Sequence, residues 1–152
     1  MTARPTSPLP RATRRGILAG GIGLLGLALT GCFSTRSDIP AVTAAMQAAV
    51  EKVPGYLRGT VHFQDGFSQG TVINAIIAVN TTTREETAQV LRAMLEAVIG
   101  VYVEQPNVRR ASVLVEAHQE DDRNARVKAI DVIDSTESAT VSTDDLKREF
   151  GL

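Results

Sequence analysis

The chain of 152 residues contains one cysteine, no tryptophan and few aromatic side chains. The single cysteine, Cys32, excludes an internal disulfide and a zinc site made of several thiolates. With so few aromatic residues, a hydrophobic core has to be built mainly from alanine, valine, isoleucine and leucine. No nucleophile elbow or HExxH motif is predicted, so the sequence indicates no catalytic residue, no metal site and no cofactor.

Positive charge is scarce in most of the chain. Residues 1–31 hold four arginines and no acidic residue, whereas residues 32–152 hold 17 acidic and 12 basic residues, a net charge of −5. Binding to nucleic acid needs clustered positive charge that neutralises phosphates. We therefore expect no nucleic-acid partner.

Long hydrophobic runs are also missing. The uncharged run from Ile17 to Gly31 is shorter than the ~20 residues of a membrane-spanning helix, and five of its residues are glycine. A basic, proline-containing segment precedes this run, and small residues close it. That order is typical of a secretory signal peptide, so we predict that residues 1–31 are a signal.

The last residues of this run resemble the lipobox of bacterial lipoproteins. Leu29, Thr30, Gly31 and Cys32 supply the leucine, small residue, glycine and cysteine of that motif. The resemblance implies cleavage before Cys32 and a diacylglycerol on its thiol, which would anchor the chain to the outer side of the bacterial cell membrane. An incidental cysteine is the alternative interpretation, and the sequence does not decide which membrane would hold the anchor in a two-membrane host.

The two arginines before the apolar run resemble the twin-arginine export motif. Arg14 and Arg15 follow Thr13 and are followed by a glycine and two apolar residues, although Ala19 stands where that family often has lysine. An ordinary general-secretion signal is the alternative, and both export routes stay open.

Residues 32–39 are expected to form the lipidated cysteine and a polar tether, and residues 40–152 a single α+β domain. Apolar residues at helical spacing predict a helix that starts at Pro40 and stops before Pro54. Alternating residues predict a strand over 57–65 that forms a hairpin with a central strand, apolar on both faces, over 71–79.

The second half of the domain repeats this order. A capping box at Thr83 opens a long amphipathic helix, which is followed by strands over 109–118 and 126–133 and by a short helix after Ser142. The order αββαββα predicts a two-layer sandwich, with helices on one face of a four-stranded, mostly antiparallel sheet, similar to a permuted ferredoxin-like fold. The other sheet face is expected to be open and to expose Val72, Ile76 and Leu114.

The two histidines, His62 and His118, alternate outward on this open face. An acid–base or metal site would need them close together, with Glu116 and Asp121 as nearby carboxylates. No metal-ligand spacing supports such a site, so two solvated histidines are the favoured interpretation.

Two charged groups have similar alternatives. Residues 118–124 could hold calcium, but they lack EF-hand spacing and are better interpreted as a solvated hairpin tip. Arg109, Arg110, Arg123 and Arg126 could gather at one end of the second hairpin and contact anionic lipid or wall polymers. Ordinary cross-strand ion pairs with Glu116, Glu120 and Asp122 are the favoured interpretation.

These features predict a lipid-anchored envelope protein that acts as a non-catalytic binding or interaction module. Its partner would be another protein, or a second copy, on the open sheet face. One alternative is a metal- or histidine-dependent envelope enzyme that uses His62 and His118. Another is a ligand binder accessory to a transporter.

Overall fold

The computed structural model describes residues 36–66, 70–136 and 139–152. They fold into four helices and five strands. In chain order these are α1 (Ile39–Val50), β1 (Tyr56–Gly66), β2 (Gly70–Val79), α2 (Arg84–Val103), β3 (Ser112–Gln119), β4 (Arg126–Lys128), α3 (Ala129–Val132), β5 (Val141–Ser142) and α4 (Thr143–Phe150).

The strands form one mixed sheet in the order β1-β2-β3-β4, with β5 also paired to β3. Three of the four strand pairs are antiparallel, and β2 and β3 are parallel because α2 crosses over between them. The predicted α+β sandwich with a mostly antiparallel sheet is confirmed. Its connection order differs from a split βαβ unit, since β2 and β3 are direct neighbours and no strand lies between them.

The core lies between the helices and one face of the sheet. All four helices contribute buried side chains to it, among them Met46, Leu91, Ala129 and Leu146. The strands alternate, so that one residue in two faces this layer. The predicted stripe of α2 is buried as expected, and the ring of Tyr102 packs edge-on against Phe63, with centroids 5.7 Å apart.

Helix α2 begins at the predicted capping box. The Thr83 hydroxyl accepts a hydrogen bond from the backbone N–H of Glu86, and the Glu86 carboxylate accepts one from the backbone N–H of Thr83. These bonds satisfy amide groups that a helix start leaves without partners, and together with the bonds from Thr82 they lower the pKa of Glu86. No helix of the described residues is long and apolar enough to cross a bilayer.

Strand β1 lies at one edge of the sheet, and the side chain of Gln47 covers part of that edge. Its amide oxygen accepts a hydrogen bond from the backbone N–H of Val61 at 2.8 Å, and its amide nitrogen donates to the carbonyl of Gly59 at 3.2 Å. Gly59 also has a positive φ of 144°. A side chain there would meet the backbone of the next strand, because an added Cβ would lie 2.6 Å from the carbonyl oxygen of Ile76.

Two local predictions are wrong. The strand predicted over 126–133 ends at Lys128, where the Asp131 carboxylate accepts a hydrogen bond from the Lys128 backbone N–H and starts the short helix α3. The polar tether predicted to reach residue 39 is also shorter, because Ser37 is already buried, Asp38 caps α1 and the helix starts at Ile39.

Candidate interaction surface on the open sheet face

The face of the sheet opposite the core carries a mixture of apolar and cationic side chains. Ile76 on β2 and Leu114 on β3 are 52% and 51% exposed, as predicted. Val72, the third residue expected to be exposed there, is half-buried. Ile76 and Leu114 line a shallow central depression of about 490 Å³ together with polar side chains of β1, β3 and β4. Ile76 is paired with Glu116 and Leu114 with Asn74, so the two exposed apolar residues lie diagonally across β2 and β3.

A second depression, of about 320 Å³, adjoins the first and shares Ile76 and Arg126 with it. We call it the arginine groove, because Arg58, Arg123 and Arg126 form its walls. Its remaining lining consists of small or apolar residues and one histidine. The lining residues are Arg58, Gly59, Ile76, Ala78, His118, Arg123 and Arg126.

Hydrogen bonds hold two of the three guanidinium groups in place. Arg58 pairs with Glu120 at 2.6 Å, and Arg126 pairs with Glu116 at 3.0 Å. Arg126 also donates from Nε to the backbone carbonyl of Arg123 at 3.1 Å, which positions the hairpin tip beside the groove. Arginine presents five donors in a planar fork, so a guanidinium in one ion pair still has donors for a second anion.

The alternative in which four arginines gather at one end of the second hairpin is wrong. Arg123 and Arg126 lie at the tip end of β3, whereas Arg109 and Arg110 precede β3 and lie at its opposite end. Arg58, which joins Arg123 and Arg126, comes from β1, and its contact with Glu120 spans 62 positions of the chain. The favoured interpretation, cross-strand ion pairing with Glu116, is confirmed for Arg126.

The two histidines lie on the open face by register but far from each other. His62 is opposite Asn74, and His118 is beside Ala78, so they are separated by two strand spacings and by four residues along the sheet. With about 4.8 Å between neighbouring strands and a rise of about 3.3 Å per residue, the Cα atoms of the two histidines lie about 16 Å apart.

The surroundings of the two imidazoles also differ. His62 is exposed as predicted, whereas His118 is only 6% exposed, and its Nδ1 lies 2.6 Å from the carbonyl of Gln119. The expectation that His118 is solvated is wrong, because neighbouring groove side chains cover the ring. Within the described residues no three histidine, cysteine or carboxylate groups are placed to hold a metal ion.

A buried carboxylate cluster lies at the opposite end of the sheet, where β1 turns into β2. Asp65 accepts hydrogen bonds from Ser37 Oγ at 2.7 Å and from Thr71 Oγ1 at 3.1 Å, and it forms an ion pair with Arg109. We call these four residues the Asp65 cluster. The Arg109 contact, followed by those of Ser37 and Thr71, lowers the pKa of Asp65 to about 2, against the opposing effect of its burial.

Tyr102 joins the Asp65 cluster to the end of α2. Its hydroxyl donates a hydrogen bond to the backbone carbonyl of Arg109 at 2.6 Å. Burial and the neighbouring negative charge of Asp65 raise the pKa of Tyr102 to about 12, so the phenol stays protonated and acts as a donor. The side chains of Ser37, Thr71 and Arg109 all bind the Asp65 carboxylate, so this cluster stabilises the fold, while the Arg109 side chain stays half exposed.

The hairpin tip at residues 120–125 is organised by its own hydrogen bonds. One carboxylate oxygen of Asp122 accepts bonds from the backbone N–H groups of Asn124 and Ala125, at 2.9 and 3.2 Å. These bonds form a local turn that needs no cation. The tip is exposed along most of its length, in agreement with the interpretation as a solvated turn.

The expectation that the chain lacks a GxSxG motif is wrong, because residues 66–70 read Gly-Phe-Ser-Gln-Gly, the spacing of a nucleophile elbow. Such an elbow connects a strand to a helix. This segment instead joins the antiparallel strands β1 and β2, and Ser68 itself lies outside the described residues. The topology therefore gives no support to an elbow.

The residues of the predicted signal and anchor also lie outside the described residues. They are Arg14, Arg15, Leu29, Thr30, Gly31 and Cys32.

Comparisons with known proteins returned no counterpart. No protein-family model, no curated protein and no solved structure matches the chain. Function is therefore inferred from the residues themselves.

Proposed function

We propose that this protein is a lipid-anchored component of the bacterial cell envelope that acts as a non-catalytic interaction module. Its binding surface is the open sheet face. Its partner is a protein that presents an acidic segment with apolar side chains. The observation that carries this proposal is the arginine groove beside the exposed Ile76 and Leu114.

The anchor is supported by the order of the N-terminal features. A basic segment, a short apolar run and the sequence Leu-Thr-Gly before Cys32 form the three parts of a lipoprotein signal. Two acyl chains on one residue are enough for stable membrane attachment, since each buried CH₂ contributes about 0.8 kcal/mol.

The chemistry of the partner is supported by charge. Residues 32–152 carry a net charge of −5, yet the arginine groove concentrates three cations beside an apolar floor. Carboxylates are the natural counterpart, because a guanidinium binds them through two parallel hydrogen bonds. Stacking a second copy face to face with the groove ends aligned would bring like charges together, so a different protein fits better than self-association.

We do not propose an enzyme that uses His62 and His118 together, because their Cα atoms lie about 16 Å apart. The two depressions on the open sheet face are shallow and open. The alternative as a transporter-accessory ligand binder therefore gains no supporting observation.

The anchor is tested by comparing the full chain with Cys32→Ala in a bacterial host. We expect wild-type protein to carry radiolabelled lipid and to stay in the membrane fraction after washes with high salt. The variant should carry none and remain uncleaved. Equal labelling and equal processing of the two chains would refute lipidation at this residue.

The binding surface is tested by site-specific photocrosslinking in membranes. One photoreactive residue replaces Leu114 on the open face, and a matched control replaces Ala93, an exposed residue of α2 on the helical side. We expect an adduct from position 114 only, mapped by mass spectrometry to an acidic segment of another protein. Arg123→Glu should reduce its yield by about tenfold, the effect of about 1.4 kcal/mol.

Three outcomes contradict the proposal. Equal adducts from both positions would mean that the face is not selective. An adduct unaffected by Arg123→Glu would remove the role of the groove, and an adduct with twice the mass of the chain would indicate self-association.

A further inference from the structure

One hydrogen bond of Ser37 fixes the position at which the described chain begins to pack against the sheet. Its hydroxyl donates to Asp65, a carboxylate whose side chain is 1% exposed, so the contact is part of the folded interior. Asp65 is the last residue but one of β1, and it is paired with Thr71 at the end where the β1–β2 hairpin turns. The chain therefore leaves the domain at the end of the sheet where β1 turns into β2. We call this the hairpin end; the hairpin tip at residues 120–125 lies at the opposite end.

The distance from this contact to the anchor is short. Cys32 lies five residues before Ser37, and five residues reach at most about 18 Å when fully extended. From Asp65 to Arg58, the strand β1 covers seven residues, or about 24 Å. A domain turned with its arginine groove toward the membrane would hold Ser37 beyond the reach of the tether.

The hairpin end also carries groups that suit a headgroup layer. Arg109 and Arg110 are about half exposed there, and they line a depression together with Val103, an exposed apolar residue at the end of α2. Arginines near an anionic surface gain attraction from it, and a neighbouring apolar side chain can enter the interface.

We propose that the domain stands upright on the membrane, with the hairpin end, marked by Val103, Arg109 and Arg110, against the lipid headgroups. The arginine groove then lies at the opposite end, about 24 Å farther from the surface. This inference deepens the proposed function and depends on the proposed anchor. It assigns the lipid surface to one end of the sheet and leaves the other end free for the partner protein.

The absence of tryptophan provides a direct test, because each introduced tryptophan is the only one in the chain. We would prepare Val103→Trp at the hairpin end, Asn124→Trp at the groove end and Thr60→Trp on the open face, all exposed positions. The lipidated protein is purified from membranes of cells that express the full chain. It is then reconstituted into vesicles that contain phosphatidylglycerol and a lipid brominated near its headgroup.

The expected result is loss of most of the tryptophan emission for Val103→Trp and little loss for the other two variants, relative to vesicles without bromine. Quenching of Asn124→Trp as strong as that of Val103→Trp would overturn the proposal. Strong quenching of Thr60→Trp would show that the sheet lies flat, which also overturns it.

Two further variants separate the orientation from the anchor. Ser37→Ala removes the contact with Asp65 and lengthens the free tether, so the contrast between the two ends should decrease while the protein stays folded. If the host adds no lipid to Cys32, its free thiol is coupled to a maleimide lipid in the same vesicles. The quenching of the three tryptophan variants then still tests the orientation, while the missing lipid refutes the proposed natural anchor.

Discussion

The replacement Asp65→Asn tests whether the Asp65 cluster stabilises the fold through charge. The pKa of Asp65 is lowered from 3.8 to about 2 in the folded protein. Lowering a pKa by one is equivalent to about 1.4 kcal/mol, so the ionised carboxylate contributes roughly 2 kcal/mol to the free energy of unfolding at pH 7. Solvent around the half-exposed Arg109 weakens this ion pair, so we expect the charge of Asp65 to contribute about 1–2 kcal/mol to the free energy of unfolding. Asparagine has nearly the same shape, but it removes the charge and replaces one of the two acceptor oxygens with an N–H donor.

The sign of the pH dependence follows from the direction in which the pKa moves. A group whose pKa is lower in the folded state stabilises the protein fully above its unfolded value, near pH 4. This contribution is lost as the pH falls from about 4 to about 2, because the carboxylate becomes protonated in both states. The wild-type protein should therefore lose its advantage over Asp65→Asn across that range.

The measurement is urea unfolding followed by circular dichroism at pH 7, 4 and 2. We expect the variant to be less stable by about 1–2 kcal/mol at pH 7 and much closer to the wild type at pH 2. Asp144→Asn is the matched control, since its carboxylate is half exposed and pairs with Arg110 and Lys147 at the surface. It should change stability by less than about 1 kcal/mol.

A second buried carboxylate, Asp145, titrates in the same experiment. Burial alone would raise the pKa of Asp145, but hydrogen bonds from Arg148 and Ser142 outweigh that effect and hold it well below its usual range. It is present in both proteins, so its contribution cancels in the difference. A gap between wild type and Asp65→Asn that stays constant from pH 7 to pH 2 would refute the charge argument and assign the loss to the missing acceptor oxygen or to packing.

Two further predictions concern the backbone. Gly59→Ala should destabilise the protein by about 1–3 kcal/mol, because the residue has positive φ and its Cβ would collide with the carbonyl of Ile76. Gly100→Ala in α2 is the matched control: an added Cβ would meet open space there, so this variant should be more stable by about 0.4–1 kcal/mol. Thr83→Ala should cost about 1 kcal/mol by removing the cap of α2, with Thr83→Ser as the control that keeps the hydroxyl. Urea unfolding measures all four variants, and a destabilised Gly100→Ala or a neutral Thr83→Ala would contradict the reasoning.

Local patterns are sufficient to predict the main elements. The capping box at Thr83 and the apolar stripe that ends at Tyr102 predict α2 because both depend only on residues within the helix. The alternation around Val61 likewise predicts β1 and the face that it buries. The prediction of β4 is too long, since the contact of Asp131 with the Lys128 backbone competes with the apolar alternation that continues past it.

The candidate sites could not be predicted in the same way, because they depend on contacts between distant residues. Asp65 and Arg109 are 44 positions apart, and Arg58 and Glu120 are 62 positions apart. Neither pair has a local spacing that distinguishes it from an ordinary surface charge. The burial of Ser37 is unexpected for the same reason, since a polar residue before a helix is usually solvent-exposed.

The amide of Gln47 affects whether strands of other molecules can pair with the edge strand β1. With the proposed membrane anchor, copies of the protein would meet in two dimensions and in one orientation, so the exposed edge of one sheet could repeatedly face the edge of another. Unpaired edges in that arrangement are templates for strand-to-strand growth. Gln47 occupies the backbone groups of Gly59 and Val61 that an incoming strand would use. Gln47 thereby hinders the addition of another strand at these two positions of β1.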